Sequence, residues 1–277
     1  MARRKTFKRR YQARRKKSIL KNRFFWFSIL FLIIFSEIFY LTCFYNFFQI
    51  KEIKISNLKK IEYSLIKGAI EKNIEKRIIF FDSKSIFLCN LKEINDLLLM
   101  KFPQISKIDL KRDFPNTITA KIEERRPVAY WSQNSDYFYI DKEGVIFDLV
   151  KGDIFDKSEK NKNLLFVKIK DLNNFVENIQ LGEKVIEKER LNQILKIESV
   201  FKKEIKIQIE TASIISERRL DVKLSEGYDV YFNIKKDIDW QLTELKFLLK
   251  EKITPDERKN LKYIDLRFEK VYVFPEI

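Results

Sequence analysis

The sequence predicts an α+β protein that is anchored by one transmembrane helix near its amino terminus. Three observations predict it: a long apolar run close to the amino terminus, helical and strand-like patterns that follow this run, and a strong charge asymmetry along the chain. At 277 residues the chain is long enough for an anchor and one or two domains with cores of their own.

The apolar run covers residues 24–48 and reads FFWFSILFLIIFSEIFYLTCFYNFF, with Glu37 as its single ionisable group. About 20 apolar residues suffice to cross roughly 30 Å of hydrocarbon, so the run predicts a membrane span. A buried core helix would keep a polar face, and a cleaved signal peptide would have a shorter run followed by small residues. We therefore expect an uncleaved anchor.

The net charge of +16 is concentrated in residues 1–23, which carry twelve Lys and Arg residues and no acid. Basic residues resist translocation, so this tail is predicted to be cytoplasmic and everything after the span to lie outside. The predicted location is the cell (inner) membrane, as a single-pass type II protein. Attraction to anionic lipid is a second interpretation of the tail. Nucleic-acid binding is not expected, because Phe7 and Tyr11 are the only aromatic residues among these bases.

Composition argues against several classes of enzyme. The absence of histidine excludes His-ligated metals and His-activated nucleophiles. Cys43 and Cys89 are too few for a Cys-rich zinc site, and the five glycines are too dispersed for a phosphate-binding loop. We expect no catalytic residue, no metal and no cofactor. Glycan hydrolysis by paired carboxylates stays open, since two acids can meet from distant positions.

The segment 49–126 is predicted to have the order β-α-α-β-β. Apolar residues at strand spacing begin near Ile50, helical patterns cover 61–74 and 91–102, and alternating strands around Ile108 and Ile118 are separated by a turn at 113–116. This order predicts two helices on one face of a three-stranded sheet.

The segment 127–277 is predicted to be an extended, mostly antiparallel sheet with helices. Strand patterns lie at 164–170, 205–209, 220–224, 230–234, 264–268 and 271–274. Helical patterns lie at 186–201 and 238–252, and residues 152–163 form a polar loop.

An ordered set of motifs carries a family resemblance. They are KFP at 101–103, FP at 114–115, ERRPVAYW at 124–131, YIDKEGVIF at 139–147, YIDLRF at 263–268 and VYV at 271–273. In this order they resemble the FtsQ/DivIB family of bacterial cell division proteins. The resemblance implies a basic cytoplasmic tail at 1–23, a transmembrane helix at 24–48, a polypeptide-transport-associated (POTRA) domain at 49–126 and a C-terminal β domain at 127–277.

The resemblance also implies a function without catalysis, as a division scaffold that bridges early and late septum-building proteins. Its implied partners are FtsB-like and FtsL-like single-span coiled-coil proteins, together with other divisome proteins. An FtsB-like segment would join the last strands, which finish the sheet and leave an unpaired edge. The candidate contacts are Arg267, Phe268, Val271, Tyr272, Val273 and Phe274.

The register of the final hairpin stays open at this stage. Its predicted turn is Glu269-Lys270, which lacks the Gly or Asn that tight hairpin turns prefer. Two alternative functions also stay open. A POTRA-bearing secretion or outer-membrane assembly factor would be expected to carry several POTRA units or a barrel, and a membrane-anchored wall hydrolase would cleave glycan.

Overall fold

The computed structural model describes residues 22–78, 81–133, 136–150, 167–172 and 179–276. The predicted basic tail and the loop at 152–163 lie outside the described residues, as does the first part of the strand predicted at 164–170. The described chain is a mixed α+β protein with one long apolar helix, and its largest sheet has nine strands.

The apolar run forms helix α1 (Arg23–Cys43), which is the one helix among the described residues that is long and apolar enough to cross a membrane. It begins after Asn22, whose side chain accepts a hydrogen bond from the Phe24 N–H. Its 21 residues correspond to about 30 Å at 1.5 Å per residue, the thickness of the hydrocarbon layer. The helix ends five residues before the apolar run does, and Asn46–Phe48 form a 3₁₀ turn.

The predicted order of strands and helices is present in the next part of the chain. Its elements are β1 (Glu52–Ser56), α2 (Tyr63–Ile74), β2 (Lys76–Ile78), β3 (Phe81–Ser83), α3 (Leu91–Lys101), β4 (Ile105–Asp113) and β5 (Thr117–Glu124). A three-stranded sheet has the order β1-β5-β4. The antiparallel ribbon of β2 and β3, which pairs Ile78 with Phe81, was not predicted. Strands of three residues are too short to show an alternating pattern.

The remaining elements build the nine-stranded sheet and its helices. They are β6 (Ala129–Gln133), β7 (Asp136–Ile140), β8 (Ile146–Leu149), β9 (Lys168–Asp171), α4 (Lys188–Val200), β10 (Ile209–Ile214), β11 (Arg219–Leu224), β12 (Asp229–Asn233), α5 (Ile238–Phe247), α6 (Pro255–Arg258), β13 (Tyr263–Asp265) and β14 (Tyr272–Phe274). The sheet order is β14-β13-β12-β11-β10-β9-β6-β7-β8. Five neighbouring pairs are antiparallel and three are parallel, which confirms a mostly antiparallel sheet.

The strand predicted at 205–209 is wrong. Helix α4 continues as a π-helical turn over Phe201–Ile205, and Lys206 ends it in the left-handed conformation with φ 62°. Phe201 is fully buried and the Lys206 N–H bonds to its carbonyl at 2.6 Å. The apolar residues Phe201 and Ile205 are four apart, which is helical spacing, and this outweighs the short alternation that follows them.

The tight turn predicted at Glu269-Lys270 is also wrong. Strand β13 ends at Asp265 and β14 begins at Tyr272, so the connection is six residues long. The register pairs Tyr263 with Phe274 and Asp265 with Tyr272. A connection of this length has no need of the Gly or Asn of a two-residue turn.

The chain divides into two compact units. The first contains residues 1–54, 71–90 and 111–119, and the second contains 55–70, 91–110 and 120–277. In the second unit alternate residues of the sheet, such as Val222 and Phe232, are fully buried, together with Leu191 of α4 and Leu245 of α5. Period-2 burial on strands and three- or four-residue spacing on helices thus build one core.

Glu124 and Arg125, the first two residues of the ERRPVAYW motif, connect loops within the second unit. The Glu124 carboxylate accepts hydrogen bonds from the N–H groups of Lys59, Lys60 and Ile61. Burial raises the pKa of Glu124, but these three bonds outweigh it and leave that pKa below its usual value. Arg125 pairs with the buried carboxylate of Asp141, the residue that opens the turn between β7 and β8. The motif therefore has a structural role here.

Gly144 is required in the turn between β7 and β8. It has φ 81°, and a Cβ atom there would lie 2.1 Å from the carbonyl oxygen of Ile186. The Gly144 carbonyl in turn accepts the Val185 N–H at 2.9 Å. The absence of a side chain lets the segment that follows Gly182 approach the turn closely.

The open edge of the nine-stranded sheet as a candidate binding site

The two edges of the nine-stranded sheet differ in how they are covered. At the β8 edge, Ile146 donates its N–H to Glu183 at 2.9 Å and accepts the Gly182 N–H at 2.7 Å, and Val145 forms a bridge with Lys184. At the other edge β14 is the terminal strand, with no strand on its outer side among the described residues. The unpaired backbone groups of a terminal strand can accept a further strand.

Strand β14 directs its side chains to two faces in alternation. Tyr272 and Phe274 point outward, with exposed fractions of 50% and 45%. Val273 lies between them and packs against the core, opposite the fully buried Ile264 of β13. This alternation fixes the outward face of the edge strand.

Three aromatic rings stack across neighbouring strands on that outward face. The rings of Tyr231 and Tyr263 lie 5.1 Å apart at an interplanar angle of 22°, and those of Tyr263 and Phe274 lie 5.5 Å apart at 16°. We call Tyr231, Tyr263 and Phe274 the C-terminal aromatic ladder. Such rows of cross-strand rings stabilise a sheet and give its surface a fixed shape.

Arg267 is held over the ladder by a two-pronged ion pair. Its Nε lies 2.9 Å and its Nη2 2.6 Å from the two carboxylate oxygens of Asp265. The guanidinium lies 5.5 Å from the ring centre of Tyr231 and 5.4 Å from that of Phe268. The hydrogen bond to Asp265 raises the pKa of Arg267, so its charge is constant at physiological pH.

Two further cations lie over the same rings. Arg219 forms a two-pronged pair with Asp221, at 2.7 and 2.8 Å, and its guanidinium is 4.5 Å from the ring centre of Tyr231. The Lys262 ammonium lies 5.3 Å from the ring centre of Phe274. The outward face beside β14 is therefore both aromatic and cationic, a composition that favours protein contacts.

The structure brings the six predicted contacts to one edge but in different settings. Tyr272, Val273 and Phe274 form β14, and Val271 packs against the core just before it. Arg267 and Phe268 lie in the connection from β13, where Phe268 is 51% exposed and its ring meets that of Tyr272 at 5.8 Å. The side chains of Val271 and Val273 thus contribute to the core. A role of the six residues in partner binding stays a prediction.

Sequence reasoning missed the rest of this face, namely Tyr231, Tyr263, Arg219 and Lys262. Each lies in or beside a strand that was predicted, at an outward-facing position, so alternation could have given its face. It could not show that β12 and β13 are neighbours, because they pair in parallel across a connection that contains α5 and α6.

Other kinds of site have little support in the described part of the chain. No group of three or more Cys, Asp or Glu side chains there is placed to hold a metal ion. Both cysteines are buried and neither forms a disulfide, with Cys43 at the end of α1 and Cys89 just before α3.

Comparison with known proteins identifies the family. The family model described as cell division protein FtsQ/DivIB, C-terminal, matches residues 129–267, half of the chain. DivIB of Clostridium acetobutylicum is 32% identical over 105 residues, which cover 38% of this chain and 39% of that protein. FtsQ of Rickettsia typhi is 40% identical over 60 residues, 22% of each chain. DivIB of Clostridium tetani is 24% identical over 234 residues, 82% of this chain and 79% of that protein.

The family model covers the nine-stranded sheet except for its open edge, and two of the relatives match only in part. The matched part of the C. acetobutylicum and R. typhi proteins is less than half of their length. The family model ends at Arg267, so β14 lies beyond it, whereas β6 to β13 and the helices between them lie within it. With half of its residues matched by that model, the chain belongs to the FtsQ/DivIB family of cell division proteins.

Proposed function

We propose that the protein is a non-catalytic scaffold of the divisome that bridges cytoplasmic or early proteins and external, late septum-building proteins. It does so by binding a partner segment as an added strand on β14. The observation that carries this proposal is the difference between the two sheet edges, since β8 is bonded at Ile146 to Gly182 and Glu183, whereas β14 has no strand on its outer side among the described residues.

The chemistry beside β14 suits one kind of partner segment. Backbone N–H and C=O groups supply sequence-independent hydrogen bonds, and exposed Phe268, Tyr272 and Phe274 offer rings to apolar residues on alternate positions of the segment. Pro275 follows β14 and has no N–H, so the pairing surface is short and side chains must supply much of the affinity. An FtsB-like protein, bound together with an FtsL-like protein, is the proposed partner.

The same proposal assigns the parts of the chain. Residues 1–23 form the cytoplasmic tail and 24–48 the span, while 49–126 form a POTRA domain and 127–277 the partner-binding β domain. The basic tail supports this orientation in the cell (inner) membrane. A reporter enzyme that works only outside the membrane should be active when it is fused after Ile277. A stable but inactive fusion would show that the orientation is the opposite of the one proposed.

The binding role can be tested with the full chain purified from native membranes. The double variant Tyr272→Lys, Phe274→Lys places two charges on the outward face of β14 and should weaken recovery of FtsB-like and FtsL-like proteins at least about tenfold, or about 1.4 kcal/mol. Two matched controls should retain recovery: Phe247→Lys at an exposed α5 ring, and Leu149→Lys at the end of β8.

Thermal unfolding of the two controls should match that of the parent chain, because their side chains are substantially exposed. The β14 double variant loses the stacking of Phe274 on Tyr263 and should be destabilised by no more than about 1 kcal/mol, so it stays folded. Full recovery by the β14 double variant would refute strand addition at this edge. Equal loss with Leu149→Lys would show that the two edges do not differ in function.

A further inference from the structure

A second group of exposed rings surrounds the carboxyl end of α1, within the first compact unit. The exposed fractions are 54% for Phe47, 66% for Phe81, 45% for Phe87 and 57% for Phe114. We call these four residues the juxtamembrane aromatic surface. They come from three separate segments: the turn after α1, the ribbon with the residues that follow it, and the turn between β4 and β5.

Ring contacts connect these residues to the end of the helix. Phe81 meets Phe44, the residue that follows α1, at 5.9 Å. Phe47 meets Phe48 at 5.2 Å, and Phe48 meets Phe87 at 5.1 Å. Phe87 in turn meets Phe114 at 5.5 Å. The exposed rings thus form two series, one through Phe44 and one through Phe48, and both start at residues that closely follow α1 in the chain.

Hydrogen bonds from side chains fasten the ribbon to the end of α1. The last carbonyls of a helix have no partner within it. Here the Thr42 carbonyl accepts the Ser85 hydroxyl at 2.5 Å, and the Cys43 carbonyl accepts the Ser83 hydroxyl and the Gln49 amide, the latter at 2.9 Å. Ser83 and Ser85 are buried, so the helix and the ribbon form one fixed junction.

Arg112 fixes the segment that carries Phe87. Its guanidinium donates from Nε to the Ile86 carbonyl at 2.8 Å and from Nη2 to the Cys89 carbonyl at 2.6 Å. Arg112 lies near the end of β4, two residues before Phe114. Arg112 therefore connects the segment that carries Phe87 to the strand that leads to Phe114.

The depth of these rings follows from the length of the span. Helix α1 is about as long as the hydrocarbon layer is thick, so its end at Cys43 falls near one boundary of that layer. Rings that touch Phe44 or continue from Phe48 then lie at the level of the lipid headgroups. Aromatic side chains are enriched at that level, and a contiguous exposed apolar patch needs a cover.

We propose that the juxtamembrane aromatic surface is a lipid-binding surface, inserted into the headgroup region of the bilayer leaflet at which α1 ends. It holds the first compact unit against the membrane. This proposal does not depend on the partner-binding role of β14, and it holds for either orientation of the span.

The test uses the full chain in nanodiscs whose lipids carry a photoactivatable diazirine near the glycerol backbone. After irradiation, mass spectrometry of peptides should find lipid adducts on residues 81–88 and 113–116 at yields comparable to those on 44–48. The peptide that contains the exposed Phe247 should carry no more lipid adduct than it shows in a sample prepared without the photoactivatable lipid. Adducts confined to residues 22–48 would overturn the proposal, and this measurement requires no variant.

A variant then tests the rings themselves. Phe81→Ser with Phe114→Ser should lower adduct yields at 81–88 and 113–116 several-fold, and Phe247→Ser should leave them unchanged. Both variants should unfold at the temperature of the parent chain, since the replaced rings are more than half exposed. Unchanged yields in a folded double variant would show that the rings do not hold these segments at the lipid and would also overturn the proposal.

Discussion

The juxtamembrane aromatic surface and the C-terminal aromatic ladder both expose rings, but the rings are arranged differently. In the first, Phe44 and Phe81 meet at an interplanar angle of 80° and Phe47 and Phe48 at 82°. In the ladder the angles are 22° and 16°.

The strand register places Tyr263 directly opposite Phe274 and diagonally across from Tyr231, so their rings can stack on one face of the sheet. The rings of the juxtamembrane aromatic surface come from separate segments and meet their neighbours at larger angles, with 39° between Phe87 and Phe114 as the smallest.

The supports of the two surfaces differ in charge. Neutral hydroxyl and amide groups, together with Arg112, donate to backbone carbonyls beneath the juxtamembrane surface. Over the ladder, Arg219 and Arg267 each bind a carboxylate two residues away along the chain. A surface built on neutral acceptors suits lipid, and one that presents cations over its rings suits a protein partner. Removing hydrogen-bond donors should therefore destabilise the juxtamembrane aromatic surface most, and removing charged side chains should destabilise the C-terminal aromatic ladder most.

The largest effect is expected from Ser83→Ala combined with Ser85→Ala. The Ser85 change removes the side-chain donor of the Thr42 carbonyl, at about 1–3 kcal/mol. The Cys43 carbonyl keeps the Gln49 amide, so the Ser83 change costs the net value of one hydrogen bond, about 1 kcal/mol.

The amides of Ile50 and Ile86, which bond to Lys84 and Phe48, report on opening of this junction. We expect their hydrogen exchange in detergent micelles to accelerate about a hundredfold, which corresponds to about 2.7 kcal/mol.

Ser106→Ala is the matched control, because its exposed hydroxyl also donates to a backbone carbonyl, that of Glu123. It should change the exchange of the Ile50 and Ile86 amides by less than about threefold. If the Ser83 and Ser85 changes leave the exchange of the Ile50 and Ile86 amides unaltered, these hydroxyls do not join the ribbon to the end of α1, and the hypothesis of a fixed junction is wrong.

Replacement of Arg267 by alanine should have an intermediate effect. The Asp265 side chain is 8% exposed, so it would be left as a buried carboxylate without its cation. We expect the free energy of unfolding to fall by about 2 kcal/mol in denaturant titrations, with Arg267→Lys recovering part of the loss. Arg112→Ala leaves the buried Ile86 and Cys89 carbonyls short of a donor, at about 1–3 kcal/mol apiece, so it should cost at least as much as Arg267→Ala. A smaller loss for Arg112→Ala would show that hydrogen bonds to neutral carbonyls do not support the juxtamembrane surface, and would reverse the contrast between the two supports.

Local patterns in the sequence predicted the anchor, the main helices and most strands. The span, α2 to α5, and strands such as β11 and β12 follow from periodicities within a single segment. The ribbon of β2 and β3 was missed because its strands are too short for a pattern. The π-helical extension of α4 was mistaken for a strand because Ile205, Ile207 and Ile209 alternate.

The candidate edge was predicted in part. The sequence places the six residues at the last strands, and the structure confirms that β14 ends the sheet. Alternation predicts that half of the side chains in a strand face the core, and the side chain of Val273 does so. It could not supply Tyr231 or Arg219, since the neighbours of β13 are set by pairing between strands that are distant in the chain.

The smallest expected effect comes from Asp229→Asn, on the ladder face beside Tyr231. Burial raises the pKa of Asp229, so the folded chain binds its proton more tightly than the unfolded chain. The parent chain therefore gains stability as the pH falls through the raised pKa of Asp229, and it loses that stability as the pH rises through the same pKa. Asparagine does not titrate, so the variant lacks this dependence.

At about pH 7 the Asp229→Asn variant should be more stable than the parent by a few tenths of a kcal/mol, because solvent screens this partly exposed carboxylate. The advantage should disappear by about pH 3, below the ordinary aspartate pKa of about 3.9 and therefore below the raised pKa of Asp229. Denaturant titrations at the two pH values measure this difference. If the stability difference between Asp229→Asn and the parent chain instead increases on acidification, the nearby cations Lys223 and Arg219 outweigh burial in setting the pKa of Asp229.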